Sequence, residues 1–313
     1  MSKLQISRQP IERDDLVGAF VHPTTPGPHP TVILCGGWGG GIREVGAEAF
    51  ALEGFAALAL AYFGVEPLPH RLTEIPLEYF AEAIAWLKTQ PAVDADRIAV
   101  VGNSKGGELA LLLGVTYPED VKAVVGYAPS AVVWQGQPPD QQSYRWNPKS
   151  SWSLGGEPLP FVRFAKPLPS EMPQMTNFFF GGSMATGPIF HERALKDEAA
   201  VAAASIAVEK INGPVLVISG TDDRMWPSTR LCEMVMERLE AHEHPFPYEH
   251  LRYEGAGHMI VVPGAEPDAH QMDRLEVGGS KEANKFANED SWQKVLGFLR
   301  DSLNVKDGKN SEK

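Results

Sequence analysis

The sequence predicts an α/β fold, a mostly parallel, doubly wound sheet with an inserted cap, and three observations carry that reading. From about residue 30 onward, apolar runs of strand length alternate with helical patterns, the rhythm of a parallel sheet covered by helices on both faces. The run Arg97-Ile98-Ala99-Val100-Val101 passes through a few small residues straight into the apolar helical stretch Gly107-Glu108-Leu109-Ala110-Leu111-Leu112-Leu113. Residues 131–196 interrupt the alternation with a stretch rich in Pro, Gly and aromatics, and loops of that length in a folded domain usually serve function. The 313 residues suffice for a substantial apolar core and are read as one domain over 1–313.

The elements follow in order. Residues 1–29 end in a turn-rich stretch with Pro23, Pro26 and Pro28, and read as short antiparallel edge strands leading into the parallel core. Thr31–Cys35 is the first core strand, followed by Phe55–Tyr62. Pro76 suits a first helical residue, and Leu77, Phe80, Ala81, Ile84 and Leu87 recur on one helical face that should pack on the sheet. Arg97–Val101, Val121–Tyr127, Val215–Ser219 and His250–Tyr253 are the later strands. Residues 131–196 form the cap, with Trp134, Trp146, Trp152, Phe178 and Phe179 as candidate substrate-binding residues, and residues 304–313 are a polar, flexible tail.

Composition excludes several classes. At 43% hydrophobic and 22% charged, the chain is that of a folded globular protein. Its 28 Lys and Arg against 40 Asp and Glu leave a net charge of −12, which repels nucleic acid and anionic lipid, and no basic run offsets it. The N-terminus lacks the apolar core of a secretory signal and no stretch approaches a membrane span, so the expectation is a cytoplasmic protein without nucleic-acid or membrane partners. Cys35 and Cys232 are too few for a disulfide framework or a zinc cluster. With no His-Glu-x-x-His pattern, no metal is expected, and no cofactor is implied.

Gly102-Asn103-Ser104-Lys105-Gly106 matches the Gly-x-Ser-x-Gly elbow, a tight strand-to-helix turn that lifts a serine hydroxyl clear of the backbone. Its strand before and helix after place it in the α/β-hydrolase type of fold, with Ser104 as candidate nucleophile. A serine hydroxyl needs a histidine to take its proton and a carboxylate to orient that histidine, and this fold supplies them later in the chain, acid first. Val215–Ser219 runs into Gly220-Thr221-Asp222-Asp223, where Asp223 is preferred to Asp222 although adjacency prevents a decision from spacing alone. An Asx turn or a helix cap ahead of Pro227 would be the structural alternative for either carboxylate. His250–Tyr253 leads through Glu254-Gly255-Ala256-Gly257 to His258, the candidate general base. For the oxyanion of a tetrahedral intermediate, Lys105 supplies one backbone N–H and Trp38 the other, with Gly37 next, from the loop Cys35-Gly36-Gly37-Trp38-Gly39-Gly40-Gly41. That loop lacks the Gly-Lys-Ser/Thr ending of a phosphate loop.

Taken in order, Gly36–Gly41, Gly54–Phe63, Leu77–Phe80, Ser104-Lys105-Gly106, Gly220–Ser228, Gly255–His258, Gly278-Gly279-Ser280 and Asp290-Ser291-Trp292 resemble the catalytic domain of the acyl-CoA thioesterase and bile acid-CoA:amino acid N-acyltransferase family. The resemblance runs from about Pro30 to Leu303. It implies a triad at Ser104, Asp223 and His258 and thioester hydrolysis through an acyl-enzyme. It also implies two departures: no room for the N-terminal β-sandwich domain of mammalian-type members, and a different, aromatic-rich cap.

The expected function is hydrolysis of a small-molecule carboxylic ester or thioester. Acyl transfer to an amine or alcohol is the alternative, but the amino-acid-conjugating relatives carry cysteine at the elbow where this chain has Ser104. A non-catalytic ligand-binding module on the same fold is the third reading.

Overall fold

The computed structural model describes residues 4–11, 13, 15–137, 147–266 and 274–305. In chain order the strands are β1 (Ile6–Gln9), β2 (Val17–Pro23), β3 (His29–Cys35), β4 (Ala56–Ala61), β5 (Ile75–Pro76), β6 (Val93–Asn103), β7 (Val121–Tyr127), β8 (Trp152–Leu154), β9 (Glu157–Pro158), β10 (Val215–Gly220) and β11 (Tyr248–Tyr253). The helices are α1 (Glu44–Leu52), α2 (Glu78–Lys88), α3 (Lys105–Thr116), α4 (Met172–Phe179), α5 (Glu198–Ala204), α6 (Ser228–Ala241) and α7 (Lys281–Ser302).

Eight strands form one sheet in the order β1-β2-β4-β3-β6-β7-β10-β11. β1 and β2 enter antiparallel at one edge, and every pairing from β4 to β11 is parallel. All seven residues of β3 are buried, as a strand covered on both faces requires. The period-two alternation divides its side chains. Ile33 and Cys35 join Ile98 and Val100 in a core with α2, α3 and α6, while Val32 and Leu34 join Ala99 and Val101 against α1 and α7. The sheet is thus doubly wound, and its carboxyl edge, where β6 ends at Asn103 and β10 at Gly220, gathers the loops that carry chemistry.

Pro76 departs from the expected helix start. It lies in β5, which pairs with β8, and the flanking N–H groups of Ile75 and Leu77 donate to the Ser151 and Ser153 carbonyls at 2.9 Å each. A residue without an N–H fits between two such donors, so α2 begins only at Glu78, with Phe80, Ala83, Ile84 and Leu87 facing the core. Within 131–196, Val132, Trp134 and Val162 pack with Trp226 and Leu231, tying the segment to the turn after β10 and to α6. Among the described residues no helix is long and apolar enough to cross a membrane.

Candidate active site

The elbow is built by close backbone contact. Ser104 sits between β6 and α3 at φ 56° and ψ −117°, a conformation that costs a non-glycine residue about 1–3 kcal/mol. It is held there because its N–H donates to the Tyr127 carbonyl at 2.8 Å and its own carbonyl accepts from Gly107 and Glu108 at 2.9 and 3.0 Å. A Cβ on Gly102 would lie 1.8 Å from the Gly106 carbonyl oxygen, and one on Gly106 would lie 2.2 Å from that of Cys35. The two outer glycines of the motif are therefore required by neighbouring main chain, not by the serine alone.

Ser104, His258 and Asp223 come together although 154 and 35 residues separate the two pairs. His258 Nε2 lies 2.9 Å from Ser104 Oγ, and His258 Nδ1 lies 2.7 Å from Asp223 Oδ2. The imidazole is buried, edge-on to Trp226 at 5.9 Å between ring centres. Asp223 also forms the Asx-type turn, its Oδ1 accepting from the Met225 and Trp226 N–H groups at 2.9 and 3.2 Å. One carboxylate thus does both jobs, since its two oxygens face different partners. Asp222 turns away. It accepts from the Gly279 N–H at 2.8 Å and pairs with Arg224 at 3.1 Å, and that backbone donor, ahead of the arginine, holds its carboxyl below the usual range.

His258 is placed by a second contact that the sequence did not announce. Its N–H donates to the Val277 carbonyl at 2.8 Å, and the next two residues, Gly278 and Gly279, have φ of 76° and 77°. A Cβ on Gly278 would fall 1.7 Å from the Asp222 carbonyl oxygen. The glycine pair therefore lets the 277–280 segment lie flush against both the acid loop and the histidine loop.

The glycine loop after β3 faces the elbow, with Gly37 so close that a Cβ there would be 3.3 Å from Ser104 Cβ. The N–H groups of Gly37, Trp38 and Lys105 donate to no protein acceptor among the described residues, which leaves them available to an oxyanion. The Trp38 carbonyl is held by Gln137 Nε2 at 2.6 Å, a positioning contact absent from the sequence reading. Beneath the loop a cavity of about 360 Å³ reaches Ser104 and His258.

Of the candidate cap aromatics, Trp134, Trp152 and Phe178 are not among the described residues that line that cavity. Trp134 and Trp152 are fully buried with their indole N–H groups spent, on Ser130 Oγ at 2.9 Å and Glu108 Oε1 at 2.7 Å. They pack in the core, and the acceptor that holds Trp152 is a residue of the elbow helix. Phe178 packs by the cluster of Met184, Ile189 and Phe190, with Arg274 4.5 Å over its ring. Trp146 and the Phe179 side chain lie outside the described residues.

Under the elbow, Lys105 Nζ meets Glu108 Oε1 at 2.5 Å with both side chains buried. Burial pushes the Glu108 carboxyl up and the Lys105 ammonium down, each shift opposed by the partner's charge. Glu108 Oε1 carries its donors alone, since Oε2 has no hydrogen-bond partner among the described residues. His191, buried beside Trp134 and Trp226, is pushed down to about 4 by desolvation.

Solved structures with this architecture define the class, that of α/β hydrolases. A dienelactone hydrolase-like promiscuous phosphotriesterase from metagenomic libraries superposes with a TM-score of 0.56 at 16% identity, over 96% of this chain and 99% of that one. A puromycin-hydrolysing peptidase from Mycobacterium tuberculosis gives 0.58 at 18% identity, over 97% of this chain and 40% of that one. Within that class the chain belongs to the family described as BAAT / acyl-CoA thioester hydrolase C terminal, which residues 75–305 match. It is 28% identical to acyl-coenzyme A thioesterase 2, mitochondrial, of Mus musculus, and 30% identical to acyl-coenzyme A thioesterase 6 of Homo sapiens, in each case over 96% of its length. The matches span 61% and 66% of those relatives.

Proposed function

We propose that this chain is a serine hydrolase that cleaves a carboxylic ester or thioester, in the manner of an acyl-CoA thioesterase, through an acyl-enzyme on Ser104. The observation that carries the reading is the continuous relay from Ser104 Oγ through His258 to Asp223 at 2.9 and 2.7 Å. His258 Nε2 takes the hydroxyl proton as Ser104 Oγ bonds to the acyl carbon, and Asp223 steadies the imidazolium. The N–H groups of Lys105 and Trp38 receive the oxyanion, with Gly37 beside them. Collapse breaks the bond to the leaving alcohol or thiol, which departs with the proton from His258. Water, deprotonated by the same nitrogen, then releases the acid and restores the Ser104 hydroxyl. Residues 131–196 act as a cap within a single hydrolase domain.

The test is turnover of p-nitrophenyl esters beside acyl-CoA thioesters by the protein and by Ser104→Ala and His258→Ala. Both variants should lose about 10³-fold or more of kcat while remaining folded, because triad members act as a unit. Full activity in Ser104→Ala would rule the reading out.

A further inference from the structure

His258 stands in a stretch without regular structure. Residues 257–261 belong to neither helix nor strand, yet Gly257, His258, Ile260 and Val261 are buried. Buried main-chain groups need partners, and here asparagine side chains supply them at four positions. Asn284 Oδ1 accepts from the Gly257 N–H at 2.7 Å, and Asn288 Oδ1 accepts from the Val261 N–H at 2.8 Å. Asn288 Nδ2 donates to the Met259 carbonyl at 3.2 Å, and Asn103 Nδ2 donates to the Ile260 carbonyl at 3.3 Å. Side-chain amides thus hold the residue before His258 and the three that follow it.

Residue type and spacing suit that task. An amide offers a donor and an acceptor side by side, so Asn288 closes on one carbonyl and on the N–H two residues later, much as a neighbouring strand would. Asn284 divides its two ends between segments. Its Nδ2 donates to the Gly278 carbonyl at 3.3 Å, one residue from the Val277 carbonyl that takes the His258 N–H at 2.8 Å. The two asparagines lie four residues apart in α7 and share one helix face. Asparagine is a poor helix former, so the pair gives α7 itself nothing. The helix is fixed independently, by Ala287, Val295, Leu296 and Leu299 in the core. Its fixed position is thereby passed to the histidine loop. Asn103, next to Ser104 in the elbow, ties the same loop from the nucleophile's side.

Resting on the serine hydrolase reading, we propose that Asn284 and Asn288 are positioning residues of the reaction, an amide clamp that sets His258 between Asp223 and Ser104, with Asn103 closing it from the elbow. Neither Asn284 nor Asn288 is among the described residues lining the cavity, so both act through the main chain beside the base.

The experiment measures kcat and KM on p-nitrophenyl butyrate, together with the low-field proton resonance of His258 Nδ1–H held by Asp223. The proteins compared are the unmodified chain, Asn288→Ala, the Asn284→Ala/Asn288→Ala double variant and Asn103→Ala. Alanine favours a helix, so the α7 variants should stay folded, which a urea melt checks, and Asn103→Ala leaves α7 untouched as a second reading. Asn288→Ala should lower kcat about tenfold and the double variant about 100-fold, with KM within about twofold, since a misplacement of about 1 Å can cost about 10²-fold. The resonance should move upfield or broaden in step with kcat, and Asn103→Ala should shift both in the same direction by less. Losses in kcat below about twofold overturn the proposal. So does a resonance that stays in place in variants that have lost stability or kcat, the result of a merely structural role. Absence of the resonance from the unmodified protein also counts against it, because a clamped imidazole shields that proton from exchange. Lack of ester turnover by the unmodified protein would instead bring down the hydrolase reading and this inference with it.

Discussion

Replacing Asp223 by Asn changes a single atom type at the point where the proposed relay is most constrained. Asp223 Oδ1 is occupied by the Met225 and Trp226 N–H groups at 2.9 and 3.2 Å, so an amide at this position keeps its oxygen there and turns its NH₂ toward His258 Nδ1. Nδ1 must then accept rather than donate, which moves the ring proton to Nε2, facing Ser104 Oγ at 2.9 Å. In that tautomer the imidazole cannot take the serine proton. The expected loss is about 10³–10⁴ in kcat, or about 4–5.5 kcal/mol of transition-state stabilisation. Asp222→Asn is the internal control, because its amide oxygen still accepts from Gly279 and only the half-exposed Arg224 pair is lost. It should stay within about threefold of the unmodified protein, since an exposed ion pair contributes little. Both variants are assayed on a neutral p-nitrophenyl ester at pH 7, with a urea melt to check folding. A larger loss from Asp222→Asn, or equal losses from the two, would refute the assignment of the acid.

Two further outcomes follow from the buried groups around the elbow. His191 is depressed from 6.5 to about 4, so the folded state favours its neutral form; its contribution is full above about pH 6.5 and is lost as pH falls toward about 4. That amounts to at most about 3 kcal/mol, and urea unfolding of His191→Gln between pH 4 and 7 should show a shallower acid slope than the unmodified protein; parallel slopes would contradict it. Removing one member of the Lys105–Glu108 pair, by Lys105→Met or Glu108→Leu, should each cost about 3–5 kcal/mol by stranding a buried charge. The double variant should cost clearly less than the sum, and strict additivity in the cycle would show that the pair is not coupled.

The legible features were those that local geometry imposes on residue type. Gly102 and Gly106 could be read as an elbow because main chain packs where their side chains would be, and alternating strands gave away the sheet because both faces of β3 and β6 are buried. The order of strand ends led to Asp222-Asp223 and His258, but adjacent carboxylates differ only in which way the loop turns them. That is decided by Gly278-Gly279, more than fifty residues later, whose positive φ values bring backbone against the Asp222 carbonyl. Composition alone did not separate cap residues that pack in the core from residues that face the cavity. Trp134 and Trp152 have the composition of a substrate wall, yet Glu108, which looks like an ordinary helix residue beside Gly106-Gly107, turns inward and takes the Trp152 indole N–H. Pro76 suited a helix start by propensity, and its tether to Ser151 and Ser153 across the chain outweighed that preference.

The central claim, that Ser104 is a nucleophile activated by His258, is tested most directly by covalent capture. The protein is incubated with a fluorophosphonate, and the intact mass and the modified peptide are measured. A single adduct on Ser104, absent in Ser104→Ala and strongly slowed in His258→Ala, is the result expected from the 2.9 Å contact between Oγ and Nε2. No adduct on the folded protein, or an adduct on another residue with Ser104→Ala still turning over esters, would contradict the account.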